Sequence, residues 1–198
     1  MTLATKVTLA RICLVPVFAA YAIAYSQNLQ ECAPRETYRH IAILVFTIAA
    51  ASDALDGWIA RRFHQQSALG AYLDPIADKF LVLTAVLLLT FFHWGFDDWR
   101  IPIWFAVLVI LRECVILGGI RILYSARRKV PISPHWTGKI CTLSLFIVLG
   151  WVMLKIIPIS PQYPCLLASI FILWSMLKYI QTGIAILRSN PTDSHVAR

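Results

Sequence analysis

The chain runs Asp53-Ala-Leu-Asp56-Gly57-Trp-Ile-Ala60-Arg61 and, after eight residues, Gly70-Ala-Tyr-Leu-Asp74-Pro-Ile-Ala-Asp78. Asp53 and Asp56 stand three apart, with Gly57 four from Asp53, so a helix puts all three on one face. Gly70, Asp74 and Asp78 follow at intervals of four and repeat the pattern on the next helix. Two antiparallel helices joined by a short turn then present four acids to each other. Asp53 lies eight residues before Arg61, about 12 Å of helical rise, and Asp78 six after Tyr72, about 9 Å. This depth corresponds to the headgroup side of one leaflet.

The surroundings of this stretch are those of a membrane protein. The 198 residues are 59% hydrophobic and 14% charged, with a mean hydropathy of +0.71, too apolar for an ordinary soluble domain. Apolar segments run over 7–25, 41–59, 72–93, 101–124, 140–157 and 163–187. Each is near the ~20 residues a helix needs to cross the hydrocarbon layer. The expected fold is an all-α membrane protein, a single domain over 1–198 with six transmembrane helices. Lys6, Arg11, Arg61, Arg62, Lys79, Arg121, Arg127, Arg128, Lys129, Lys139, Lys178, Arg188 and Arg198 fall on one side, and Arg35, Arg39, Arg100 and Lys155 on the other. The excess of basic residues marks the cytoplasmic side, so both termini are expected there. The net charge of +8 then faces anionic headgroups and anionic substrates, and nucleic acid is not an expected partner. A secretory signal is a weaker reading of the first segment, because five more spans follow it.

Acids in or near lipid are costly and mark functional sites by default. Four ionised carboxylates held together repel one another unless cations balance them. Two divalent ions do so, and hard oxygen donors suit Mg²⁺ or Mn²⁺. A two-metal centre of this kind serves phosphoryl chemistry. Gly57 and Gly70 either let helices pack closely or let a ligand approach the backbone. The five cysteines, Cys13, Cys32, Cys114, Cys141 and Cys165, lack paired metal-ligand spacing. Trp94 and Trp99 read as interfacial residues beside an outer turn, and 26–39 as a polar outer loop.

In every fixed position the stretch from Asp53 to Asp78 resembles the signature of the CDP-alcohol phosphatidyltransferases, and that family's six-helix architecture agrees with the span count. The resemblance implies that Asp53, Asp56, Asp74 and Asp78 bind the two metals and that Asp78 is also the general base. It further implies that Gly57, Arg61 and Gly70 hold the cytidine diphosphate of CDP-diacylglycerol. Near the start, Thr5-Lys-Val-Thr8-Leu-Ala-Arg11 resembles the family's Asn-x-x-Thr-x-x-Arg motif, with Thr5 in place of Asn. Thr8 is carried over as a donor contact, while Arg11 also reads as a snorkelling anchor.

The acceptor is expected to be glycerol 3-phosphate, with phosphatidylglycerol, and hence cardiolipin synthesis, as the alternative. Arg112 lies about eleven residues into its span, too deep to snorkel easily, and needs either Glu113 or a bound phosphate as its offset. Lys139, in Gly138-Lys-Ile-Cys-Thr142, resembles the Gly-Lys-x-Lys-Thr run of phosphatidylglycerophosphate synthases, with Cys141 in place of the second Lys. Arg112 and Lys139 are therefore the candidate acceptor ligands. Outside enzymology, paired acids with Arg112 suggest an ion or proton relay, although their clustering near one surface argues against it. The expected location is a bacterial inner membrane with the site facing the cytoplasm, and small-residue helix faces are compatible with a homodimer.

Overall fold

A computed structural model describes residues 3–31, 35–63, 68–95, 99–125, 136–156 and 158–188, with the side chains of 3–9, 53–63, 68–78, 123–124, 137 and 188 left out of the description. Among these residues there are six helices and no strand: α1 Leu3–Gln30, α2 Glu36–Phe63, α3 Ala68–Phe91, α4 Ile103–Ser125, α5 Trp136–Leu154 and α6 Gln162–Arg188. By length and apolarity Ala10–Gln30, Ile103–Ile122 and Gln162–Leu187 can cross a membrane. The stretches Lys79–Phe91 and Gly138–Leu154 are apolar but shorter. Leu166, Leu167, Ile170, Leu173, Leu177 and Ile184 on α6 are exposed, a surface that only lipid or protein covers without penalty. Hydroxyls within the helices bond back to their own backbones: Thr47 to Ile43 O at 2.8 Å, Thr90 to Val86 O at 2.7 Å and Thr182 to Lys178 O at 2.9 Å. Such bonds satisfy polar groups where water is absent.

The chain forms two compact units. The first comprises Met1–Ile101 and Leu149–Pro161, in which α1 packs on α2 and α3, and α2 on α3. Its seam on α1 is Val15, Phe18, Ala22, Tyr25 and Leu29, alternating steps of three and four that keep one stripe inward. Ala42, Phe46 and Ala49 on α2 follow the same rule, and the Phe18 and Phe46 rings lie 5.5 Å apart. Alanines at 22, 42, 49 and 85 are all buried, and small residues let helix backbones approach where lipid supplies no hydrophobic drive. The second unit comprises Pro102–Val148 and Gln162–Arg198, with α4 packed on α6.

Several expectations change here. The polar loop over 26–39 is largely helix, because Asn28 bonds back to Ala24 O at 2.7 Å and Leu29 and Ser26 are buried, so α1 runs on to Gln30. The fifth segment stops at Leu154, short of the expected 157. Lys155 there adopts φ 51°, and its N–H bonds to Trp151 O at 3.3 Å, the left-handed helix cap normally given to glycine. In a lysine that conformation costs on the order of 1 kcal/mol. Trp94 is 1% exposed and is a buried cap, not an interfacial anchor. Its Nε1 donates to Met153 O at 3.1 Å and that of Trp99 to Val152 O at 3.0 Å, so carbonyls that end α5 without helical partners are satisfied by indoles.

That cap depends on Gly95. A Cβ there would stand 2.8 Å from Trp99 Cβ and 3.3 Å from Lys155 Cε. Gly95→Ala must displace a tryptophan stem fixed by its own hydrogen bond, at an overpacking cost of about 1–3 kcal/mol. The expected result is a melting midpoint several degrees below wild type in detergent; an unchanged midpoint would mean that the Trp99 cap yields freely.

Candidate active site

Helical backbone is continuous through 53–63 and 68–78, so the three- and four-residue intervals do fall on two helices of the first unit that pack together. Asp53, Asp56, Gly57 and Arg61 sit in the C-terminal half of α2, and Gly70, Asp74 and Asp78 in the first half of α3. Their side chains, and that of Thr8 on α1, lie outside the described residues, as do residues 64–67 between the helices and the basic loop over 126–135. Among the described residues no group of three His, Cys, Asp or Glu is placed to hold a metal. The donor chemistry of these positions, four carboxylates at helical intervals on two packed helices, fits hard divalent ions.

Arg11, three residues after Thr8 on α1, is 1% exposed. The anchor reading therefore fails, because a snorkelling side chain carries its charge out to water. A buried guanidinium needs local compensation, and α1 packs on both helices that carry the acids. Sequence spacing had flagged the position; only burial separates the two readings.

In the second unit Arg112 is 7% exposed on α4, with Nη1 2.6 Å from Glu113 Oε1. The internal acid is thus at least part of the offset. Adjacent residues do not face each other on a helix, so this pair engages the guanidinium through Nη1. Nε is buried and finds no partner among the described residues. An orphaned charged donor of this kind suits an anionic ligand.

Lys139 is exposed near the start of α5, its Nζ 5.3 Å from the centre of the Trp136 ring. Cys141, two residues on, is fully buried, and the charges acting on its thiol are Arg112 and Glu113. Residues two apart on a helix diverge. The described contact of Lys139 is with Trp136 and not with the Arg112 pair. Any shared ligand requires Lys139 to leave the indole face, a contact worth about 0.5–1 kcal/mol at an exposed site.

The sequence reading missed a polar chain at the other end of the first unit. Lys155 Nζ donates to Tyr25 Oη at 2.9 Å, Tyr25 Oη donates to Glu36 Oε1 at 3.2 Å, and Arg39 Nε lies 2.7 Å from Glu36 Oε2. The only signal in the sequence was a lysine near the end of an apolar segment.

Residues 1–183 match the model of the CDP-alcohol phosphatidyltransferase family, and the chain belongs to that family. It is 31% identical over 186 residues to the CDP-diacylglycerol--glycerol-3-phosphate 3-phosphatidyltransferase of Escherichia coli (strain K12), an alignment covering 91% of this chain and 94% of that protein. The protein of the same name from Shigella flexneri serotype 5b (strain 8401) is 29% identical with the same coverage. Membership of a transferase family sets aside the ion-relay reading.

Proposed function

We propose that this protein transfers the phosphatidyl group of CDP-diacylglycerol to glycerol 3-phosphate and releases CMP. The observation that carries the reading is the retention of the Asp53 to Asp78 spacing on two packed helices, in a chain matched to the family along 1–183. The relatives named above carry the same acceptor in their names.

Asp53, Asp56, Asp74 and Asp78 would hold two Mg²⁺ or Mn²⁺ ions. When bound, these supply neutralisation of the diphosphate and polarisation of the phosphorus under attack. Gly57, Arg61 and Gly70, with Thr8 from α1, hold the cytidine diphosphate. Asp78 takes the proton from the acceptor hydroxyl, whose oxygen then attacks the phosphorus attached to diacylglycerol, and the bond to CMP breaks. Positioning and charge account for most of the acceleration. Arg112 offers its uncommitted Nε edge to the acceptor phosphate, and Lys139 swings from Trp136 to add a second charge.

A second reading takes phosphatidylglycerol as acceptor and makes cardiolipin. Cys141 favours it, since a buried, uncharged thiol where the Gly-Lys-x-Lys-Thr run has its second lysine lowers the positive charge offered to a dianion. In either case we place the chain as a single domain crossing a bacterial inner membrane six times, with both termini and the site on the cytoplasmic side and a homodimer as the assembly.

The test is CMP release by the purified protein with CDP-diacylglycerol and each acceptor in turn. Turnover with glycerol 3-phosphate is expected; cardiolipin formation without it would install the second reading. In the same assay Lys139→Ala is expected to raise the acceptor KM roughly 10-fold, the lower end for a charge-assisted contact given the exposure of the lysine. The donor KM should stay within about twofold. An unchanged acceptor KM in the folded variant removes Lys139 from the site.

A further inference from the structure

The polar chain from Lys155 to Arg39 has no part in the proposed transfer. Glu36 and Asp53 are 17 positions apart on α2, about 26 Å of helix. We propose that Lys155, Tyr25, Glu36 and Arg39 form a proton-sensitive fastening of the end of α5 onto α1 and α2, tighter when Lys155 is neutral than when it is charged.

The geometry concentrates constraints on one amine. Lys155 is held in a left-handed backbone conformation, its Cε lies under Gly95, and Trp94 and Trp99 grip the two residues before Leu154. Its Nζ ends on Tyr25, whose side chain is fully buried and whose ring centre lies 5.1 Å from that of Trp94. The 5.2 Å from Nζ to the Tyr25 ring centre follows from that hydrogen bond, so we count a single contact. A neutral amine still donates to Tyr25, more weakly than an ammonium, but it is far cheaper to bury and is not repelled by Arg39. Beyond the tyrosine, two cations share one carboxylate: Glu36 is half exposed and already paired with Arg39. Among the described residues the groups acting on the amine are thus Tyr25 from α1 and Glu36 and Arg39 from α2.

The sign follows from these contacts. Burial first, and the Arg39 charge second, push the Lys155 amine down to about 8 from its usual 10.5, with Glu36 opposing. The native state therefore binds fewer protons than the unfolded chain between pH 8 and 10.5, and stability rises with pH across that window. Below pH 8 both states hold the proton and the full penalty applies.

Melting midpoints of the full-length protein in detergent, measured from pH 7 to 10 for wild type, Lys155→Met and Lys155→Arg, test this. Wild type is expected to gain several degrees relative to both variants as pH rises, because methionine has no proton to lose and arginine keeps its own. Tyr25→Phe should flatten the wild-type gain. Parallel curves overturn the proposal. So does a wild type that loses ground to Lys155→Met above pH 8, since that sign means Glu36 holds the charged amine. If Lys155→Met does not fold, the comparison with Lys155→Arg decides alone.

Discussion

Asp78→Asn is expected to keep CDP-diacylglycerol binding and to lose turnover by about 10²-fold or more, the scale on which removing a general base acts. The substitution preserves size and one oxygen donor while abolishing the basic site. Its position in the first half of α3, four residues after Asp74, makes it one of two acids that this helix contributes. Asp53→Asn, on α2, should behave differently, because a pure metal ligand affects the ions and the diphosphate they hold. There the donor KM and the metal concentration for half-maximal rate should rise together. The pair is best read in CMP release against donor concentration at several metal concentrations. If Asp78→Asn turns over at the wild-type rate, the proton goes elsewhere and Asp78 is only a ligand.

Removal of divalent metal is expected to abolish turnover altogether, and Mg²⁺ or Mn²⁺ should restore it. The four carboxylates alternate at three- and four-residue intervals on two packed helices. Charges so placed repel strongly where the dielectric is low, and without cations some take up protons. The apo protein should therefore also melt at a lower temperature than the metal-loaded one, by an amount that grows with metal concentration. That shift reads binding independently of chemistry. Full turnover in chelator with no added metal would remove the metal centre; a thermal shift without restored activity would separate binding from catalysis.

The spacing of Asp53, Asp56, Asp74 and Asp78 was legible because it is a property of a single helix: intervals of three and four repeat along a strip whatever packs against it. The positions of the helices were legible for a similar reason, and the observed bounds differ from the apolar segments mainly at polar ends such as Ser26–Gln30. Family membership rests on the same local signal. Residues that meet across helices were not legible, since that depends on how each helix is rotated and shifted against its neighbours. Trp94 illustrates this: a tryptophan next to a turn in a membrane protein reads as an interfacial anchor, yet here it caps the carbonyl of Met153, 59 residues away.

By itself, then, the sequence determined a helical membrane protein of this family and the two helices that carry its acids, because hydropathy and helical period are written along the chain. Only the tertiary structure decided that Arg11 is buried, that Arg112 spends one nitrogen on Glu113 and leaves Nε over, and that α5 ends on a left-handed lysine fastened to Tyr25. The cost of burying a charge or bending a backbone depends on the neighbours that surround it, and those neighbours come from other helices.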